Sequence, residues 1–453
     1  MTSLLRRLED RARQGRPVGV GLVGAGTFGA MFLAQARRVS GLRVLAVADM
    51  SVERSARAVR GAGFDADHRS ASAGATLVTD DPAAVWEHPG VDVVVDATGD
   101  AAAAARHTRA AVRAGRHVVN ATVEADALLG PLLAHEAEAH GVVYSFAYGD
   151  QPALICELVD WARINGFDVV CAGKGTKFLP RFHSCSPDAV WQHYGFDRER
   201  VEAGGYDARM FTSFLDGTKS AIEMAAVANA TGLEPQAEGL GFPPAGVDDL
   251  AEVCRPASRG GRLSRGATVE VVSSLARDGS PVPRDLRWGV FVVVEAPSPY
   301  VRRCFADYGL TTDDEGTHAA LYRPCHLVGL ELVTSIASVA LRGEATGAPR
   351  DFLADVVAVA KRDLPEGMEL DGEGGYAVHG RLMPAAEALA TRALPIGLAR
   401  GVRTTRYLSR GEIVGWADVE GHPDAHVMAL RAEMERRFAA PGAPRRHEEH
   451  AAA

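Results

Sequence analysis

Lysine is almost missing from this chain. Of 49 basic residues in 453, four are lysine: Lys174, Lys177, Lys219 and Lys361. The rest are arginine, which holds its proton at any working pH, whereas lysine can release one when burial or a neighbouring cation lowers its pKa. An arginine-biased composition explains the scarcity, but it does not explain why Lys174, Lys177 and Lys219 lie close together. Paired cysteines are also missing. The six cysteines are scattered and form no CxxC, which excludes ribbon-type zinc sites and CxxC redox chemistry. We expect free thiols, a cytoplasmic protein and no metal. An excess of basic charge is absent too: the net charge is −9, against a nucleic-acid partner. No apolar run reaches membrane-spanning length. The opening MTSLLRRLEDRARQGRP is charged throughout, and it reads as a short amphipathic helix, not a signal segment.

What is present is a globular composition, 47% apolar and 24% charged, over a length that predicts two or three domains. Val18–Val23 reads as a buried strand. It runs into Gly24-Ala25-Gly26-Thr27-Phe28-Gly29 and then a helical stretch. Strand, GxGxxG, helix is the context that gives this motif meaning. Gly24 makes the turn, Gly26 lets the backbone approach a pyrophosphate, and Gly29 lets the helix pack on the strand. The helix N-terminus, at Thr27 and Phe28, offers N–H groups to the anion. A second strand, Val44–Ala48, ends at Asp49, placed to accept the adenosine ribose hydroxyls and so favouring NAD. Ser51 and Arg54 nearby leave NADP open.

Strand and helix signals alternate onward through Thr76–Thr79, Val91–Val95, Ala101–Ala114, His117–Val119 and Val142–Phe146. This pattern specifies a doubly wound parallel sheet over 1–150. Thr98-Gly99 and the segment from Asn120 are expected to line the nicotinamide half of the cleft. The order GLVGAGTFG, VLAVAD, VDVVVDATG and GRHVVNA resembles the N-terminal half of homoserine dehydrogenases, and it is similar to the broader glucose–fructose oxidoreductase group. The resemblance implies a Rossmann fold and an NAD(P)-dependent reaction at a CH–OH group. Those families commonly carry a lysine after the strand that GRHVV matches. This chain reads Asn120-Ala121-Thr122 there, so a proton-transferring lysine must come from elsewhere.

The middle region, 151–345, reads as an α+β substrate and oligomerisation domain. Phe167–Ala172 is a strand candidate ending in Gly173-Lys174-Gly175-Thr176-Lys177, where two glycines would bend the backbone and expose the amine. Gly175-Thr176 resembles a substrate-contacting segment of homoserine dehydrogenases. Asp216 precedes a helical run and would cap it, with Lys219 and Glu223 spaced i, i+4. Homoserine dehydrogenases place a catalytic aspartate and lysine at the start of such a helix, four residues apart. Here Asp216 and Lys219 are three apart. Val269–Ser273 and Trp288–Glu295 read as strands of an open sheet, whose free face would cover the site or join copies in a homo-oligomer.

Residues 350–420 show short β-runs with PxG and xxG turns and resemble the SAF domain, a small β-clip module. Lys361 sits at a turn there and is expected to be solvated. Residues 438–453 read as a disordered tail. The expected function is an NAD(P)-dependent oxidoreductase acting on a small anionic hydroxy compound: a hydroxy acid, sugar acid or phosphorylated polyol. Lys219 would exchange the proton, with Lys174 and Lys177 binding substrate or lowering the Lys219 pKa. Two alternatives stand beside it. One is a redox-neutral epimerase or oxidoisomerase that retains NAD. The other is a non-catalytic dinucleotide-dependent sensor or assembly factor.

Overall fold

The computed structural model describes residues 3–67, 74–421 and 424–438. The chain forms two compact units, Met1–Glu157 with His326–Arg350, and Leu158–Cys325 with Asp351–Ala453. Of the expected tail, 439–453 lies outside the described residues. None of the six cysteines forms a disulfide.

The first unit is built on a seven-stranded parallel sheet. Its strands are β1 (Val18–Val23), β2 (Leu42–Ala48), β3 (Ala66–Asp67), β4 (Thr76–Thr79), β5 (Val93–Asp96), β6 (His117–Asn120) and β7 (Tyr144–Phe146). They lie in the order β3-β4-β2-β1-β5-β6-β7. Every residue of β1 is buried, because helices cover both faces of a doubly wound sheet and leave no face for polar residues. This is why the strand reads as an unbroken apolar run, not an alternation. β1 has β2 on one side and β5 on the other, so the strand order reverses at β1. That switch point is where such sheets bind ligands, beyond the carboxyl ends of the strands. The helix Val333–Arg342 returns to this unit from late in the chain and buries Ile336 and Val339 against Val20, Phe32 and Val95. The N-terminal segment is a helix, Leu4–Arg13, capped by Ser3.

The second unit centres on a mixed five-stranded sheet. β8 (Asp168–Thr176), β9 (Thr268–Ser273), β10 (Val290–Glu295), β11 (Thr311–Thr312) and β12 (His318–Arg323) lie in the order β11-β12-β10-β8-β9. β8 corrects the expected turn at Gly173–Lys177, since the strand runs through Thr176 and Lys174 lies inside it. The glycines serve close approach. A Cβ at Gly173 would lie 1.7 Å from the Glu270 carbonyl oxygen, and one at Gly175 would lie 1.9 Å from that of Leu286. Large or small, no side chain fits there. The expected open face is also corrected. β9 is buried at every position and β10 at all but Glu295, so these strands leave no apolar face for a second copy.

The helix Thr218–Thr231 packs on β9 and on two later strands, β13 (Ala354–Ala360) and β14 (Val378–Pro384). It is made of small residues and almost wholly buried. Its few polar groups fasten the C-terminal segment. Thr218 Oγ accepts from Gly380 N at 2.8 Å. Asn229 accepts from Leu353 N and Ala354 N and donates to the Ala354 carbonyl. Residues 350–420 also contain the short pair β15 (Arg403–Thr404) and β16 (Val419–Glu420).

Candidate active site

On the first unit the GxGxxG segment forms a turn into the helix Thr27–Ala36. Gly24 has φ +98°, a conformation that L side chains rarely adopt. A Cβ there would lie 2.5 Å from the Ala97 carbonyl oxygen, and one at Gly29 would lie 2.3 Å from that of Gly24. Gly26 differs, because nothing lies within 4 Å of its would-be Cβ. Gly24 and Gly29 therefore serve the fold, while Gly26 fronts an open cradle. No side chain caps the helix that starts at Thr27 and Phe28, so its first N–H groups face that cradle. The residues present thus fit a dinucleotide pyrophosphate.

Asp49 follows β2 and is 8% exposed. Its Oδ2 accepts from Ala25 N at 2.8 Å, and its Oδ1 accepts from Ser51 N at 2.9 Å and Arg54 Nε at 3.0 Å. Burial alone would raise its pKa, but the hydrogen bonds from Arg54, Ser51 and Ala25 outweigh it and hold the carboxyl below its ordinary value. Asp49 thus stands ionised, with Arg54 folded over it.

The loops after β5 and β6 are tied by one buried carboxylate. Asp96 accepts from Thr98 Oγ, Thr122 Oγ and His107 Nδ1, each at 2.8 Å. Gly99 N donates to Thr122 Oγ at 3.1 Å. Asn120 braces the same turn through Thr122 N and the Thr122 carbonyl. Thr98, Gly99 and Asn120 are therefore held beside the carboxyl ends of β1 and β5, where the sheet order reverses.

On the second unit the four lysines separate. Lys174 is buried and its Nζ meets Glu223 Oε2. Glu223, spaced i, i+4 from Lys219, is buried and engaged with the sheet through Lys174. Lys361 is the larger correction. Expected in solvent, it is 3% exposed, and its Nζ lies 2.6 Å from Asp216 Oδ2. Nζ also donates to the carbonyls of Cys185 at 2.9 Å and Gly375 at 2.7 Å. Lys361 directly follows β13, and the Thr218–Thr231 helix packs on that strand.

Asp216 is fully buried. It is the last residue of the helix Ala208–Asp216, and Gly217 turns the chain at φ +91° into the next helix. Asp216 Oδ1 accepts from Thr218 N at 2.8 Å, so it caps that helix from one position further back than an ordinary N-cap. Burial raises the Asp216 pKa, and Lys361 and Thr218 offset only part of that. The Asp216 carbonyl accepts from His183 Nδ1 at 2.7 Å, and His183 stacks on His379 at 4.5 Å. Burial, then His183 and Lys361, pull His379 down to about 3. These groups pack into one another, and Asp216 reaches no open space.

Lys219 stands in the first turn of the Thr218–Thr231 helix and is partly exposed. Lys177, also partly exposed, follows β8 and donates to the His193 carbonyl. The two segments meet. A Cβ at Gly217 would lie 3.1 Å from the Phe242 ring, 3.5 Å from His183 and 3.6 Å from Phe178. Phe178 directly follows Lys177 and stacks on Phe242 at 3.9 Å.

Around Lys177 the structure gathers residues with no sequence signature. Lys177 Nζ and the Arg287 guanidinium each lie 5.6 Å from the centre of the Tyr194 ring. Among the described residues no carboxylate lies within ion-pair distance of either cation. Burial lowers the Lys177 pKa, and Arg287 lowers it further. Burial also pushes the Tyr194 hydroxyl up to about 12, so the ring stays neutral. Two like charges held together without a counter-ion repel unless an anion joins them. Arg287 and Tyr194 are far from Lys177 in sequence, and no spacing pattern announces them. Among the described residues no cluster of metal-ligating side chains forms, and no helix is long and apolar enough to cross a membrane.

Residues 19–147 match the family model for the homoserine dehydrogenase NAD binding domain, and residues 149–332 match that for the oxidoreductase DRL catalytic domain. No curated protein matches the chain in sequence. Among solved structures, a homoserine dehydrogenase from Thiobacillus denitrificans is similar at 19% identity, covering 72% of this chain and 73% of that one, with a TM-score of 0.43. A myo-inositol dehydrogenase from Lactobacillus casei, solved with NAD(H) and myo-inositol, is 19% identical over 38% of this chain and 50% of that one, with a TM-score of 0.28. A 3-ketoreductase from Actinomadura kijaniata, solved with NADP, is 19% identical over 36% and 49%, with a TM-score of 0.26. The chain spans about half the length of these last two proteins.

Proposed function

We propose that this chain, an NAD(P)-dependent oxidoreductase, acts on a small hydroxy compound carrying a carboxylate or phosphate. The observation that supports this is the pair Lys177 and Arg287, both against Tyr194, with no carboxylate in ion-pair contact with either side chain among the described residues. An anionic substrate would supply the missing counter-ion, and the arginine would offer a forked donor to its oxygens. The nicotinamide, when bound, supplies the hydride acceptor or donor. The protein's own residues orient the substrate and move the proton.

Lys219 is the group we assign to that proton. In the oxidation direction the substrate carbon loses hydride, its hydroxyl oxygen becomes a carbonyl oxygen, and Lys219 Nζ takes the hydroxyl proton. In the reverse direction Lys219 returns it. For this, the lysine must be neutral before oxidation. Lys174 and Lys361, each buried against a carboxylate, are assigned to structure. Asp216 acts through position: it caps the helix on which Lys219 stands and does not reach substrate. Cytoplasmic residence and a homo-oligomer remain part of this reading.

Lys219→Arg keeps the charge and removes the exchangeable proton. With NAD and NADP tested against sugar acids, hydroxy acids and phosphorylated polyols, kcat of the variant is expected to fall about 10²- to 10⁴-fold. Full activity in Lys219→Arg would refute the assignment. Purified protein that carries tightly held nicotinamide, yet reduces none of it net, would favour the redox-neutral isomerase.

A further inference from the structure

We propose that the second unit holds a separate binding site for a small hydroxycarboxylate, built on His318 at the opposite end of β8 from the lysines. This goes beyond the oxidoreductase reading. The site is a cleft of about 380 Å³, within the range that small metabolites occupy. It opens where β8 begins. From Asp168 to Lys174 along β8 is roughly 20 Å at about 3.3 Å per residue, so it is distinct from the Lys177 and Lys219 region.

Behind His318, which lines the cleft, lies a built polar network. Asp313 Oδ2 accepts from Arg255 Nη1 at 2.6 Å, from Thr317 Oγ at 2.8 Å and from His318 Nδ1 at 2.8 Å. Its Oδ1 accepts from Thr317 N at 2.6 Å and His318 N at 3.0 Å. Arg255, Asp313 and His318 are all buried. Although burial opposes it, these donors hold Asp313 well below the usual carboxylate range. An ionised Asp313 fixes the imidazole with its proton on Nδ1. Nε2 is then the ring's remaining polar atom, and His318 lines the cleft.

A buried triad of this kind is a costly way to fasten a turn, since apolar packing of the same volume does as well or better. Its orientation is what a ligand site requires. Nε2 accepts a hydrogen bond from a hydroxyl at the base. Phe167 and Pro256 wall the cleft, Arg163 and Arg259 stand at its exposed rim, and the carboxylates Asp168 and Glu295 also line it. Arg259 donates both Nη1 and Nη2 to Glu295 Oε1 at 3.3 Å, an exposed pair that a ligand carboxylate would have to share or displace. A molecule with a hydroxyl at one end and a carboxylate at the other satisfies both ends of the cleft.

Isothermal titration of the full-length protein with malate, citrate and gluconate reads the site directly. At least one is expected to bind saturably in the millimolar range. Arg259→Ala changes only the exposed rim and retains the fold. It and His318→Ala are each expected to weaken binding at least tenfold, about 1.4 kcal/mol. Lys177→Ser and Lys219→Arg should leave unchanged the component of binding that Arg259→Ala weakens, whatever they do to binding at the lysine-bearing end. No saturation with any of the three acids overturns the proposal, and so does binding that survives in both Arg259→Ala and His318→Ala. Binding lost in Lys177→Ser but kept in Arg259→Ala also overturns it. That outcome would move the carboxylate to the lysine-bearing end and leave the oxidoreductase reading intact.

Discussion

Replacing Lys361 with methionine should cost far more stability than any surface lysine could. The Nζ of Lys361 sits 2.6 Å from a fully buried Asp216 and fills two carbonyl acceptors, those of Cys185 and Gly375. Lys361→Met leaves Asp216 as an uncompensated buried charge, and breaking such a pair costs about 3–5 kcal/mol. Asp216 already has a raised pKa because burial outweighs its partners, and without Lys361 it rises further. The sign follows. A carboxyl whose folded pKa exceeds its unfolded value destabilises as it ionises, so stability is present at low pH and lost as pH rises through the folded pKa. The variant should therefore lose stability more steeply with rising pH than the parent. Asp216→Asn in the same chain removes the orphaned charge and should recover part of the loss, although the cap on Thr218 N depends on the same side chain. Urea unfolding followed by circular dichroism, for the parent, both single variants and the double, gives the coupling. If Lys361→Met lies within about 1 kcal/mol of the parent, or if the two changes simply add, the buried pair described here is wrong.

Further tests concern the cofactor cradle and a buried acid. Gly26→Val should abolish dinucleotide binding while leaving the melting temperature unchanged, because its Cβ enters open space. Gly29→Ala should instead lower stability by about 1–3 kcal/mol through overpacking, since its Cβ would lie 2.3 Å from the Gly24 carbonyl oxygen; equal melts for the two variants would contradict this division. Asp49→Ser releases Arg54 from its carboxylate and should shift the ratio of kcat/KM for NADP over NAD upward by tenfold or more, about 1.4 kcal/mol; an unchanged ratio would mean that neither residue reads the ribose. Burial raises Glu270 to about 7, against hydrogen bonds from Val271, Gly241, Phe242 and Gln236. Its folded pKa is above the unfolded one, so stability should fall between about pH 4.5 and pH 7 by up to roughly 3 kcal/mol. Glu270→Gln should flatten that slope even if it lowers stability overall, and an unaltered slope would show that Glu270 does not titrate there.

Local patterns carried most of the first unit. β1 and β4 begin and end where the apolar runs of the sequence do, and the GxGxxG turn is legible because each glycine answers a short-range constraint of backbone and anion. The expectation of NAD or NADP comes from that turn, and residues 19–147 match an NAD binding domain. The second unit was legible in its elements but not in its contacts. Gly173 and Gly175 read as a bend, since sequence cannot distinguish a glycine needed for a turn from one needed where neighbouring backbone passes close by. Only the packing of the sheet decides between them.

The lysines show the same boundary. Their scarcity and the clustering of three of them are properties of the sequence, and they single out the region between Lys174 and Lys219. Which lysine is buried, and against which acid, belongs to the tertiary structure. Lys361 looked solvated because its neighbours are a charged turn, yet the fold brings Asp216 to it and closes over both. Arg287 has no motif around it, yet the fold sets it against Tyr194 beside Lys177. Charges interact through space over a few ångströms, and the chain brings such partners together only by folding. A local pattern therefore determined the cofactor fold, and tertiary packing alone decided the ion pairs and the cation cluster.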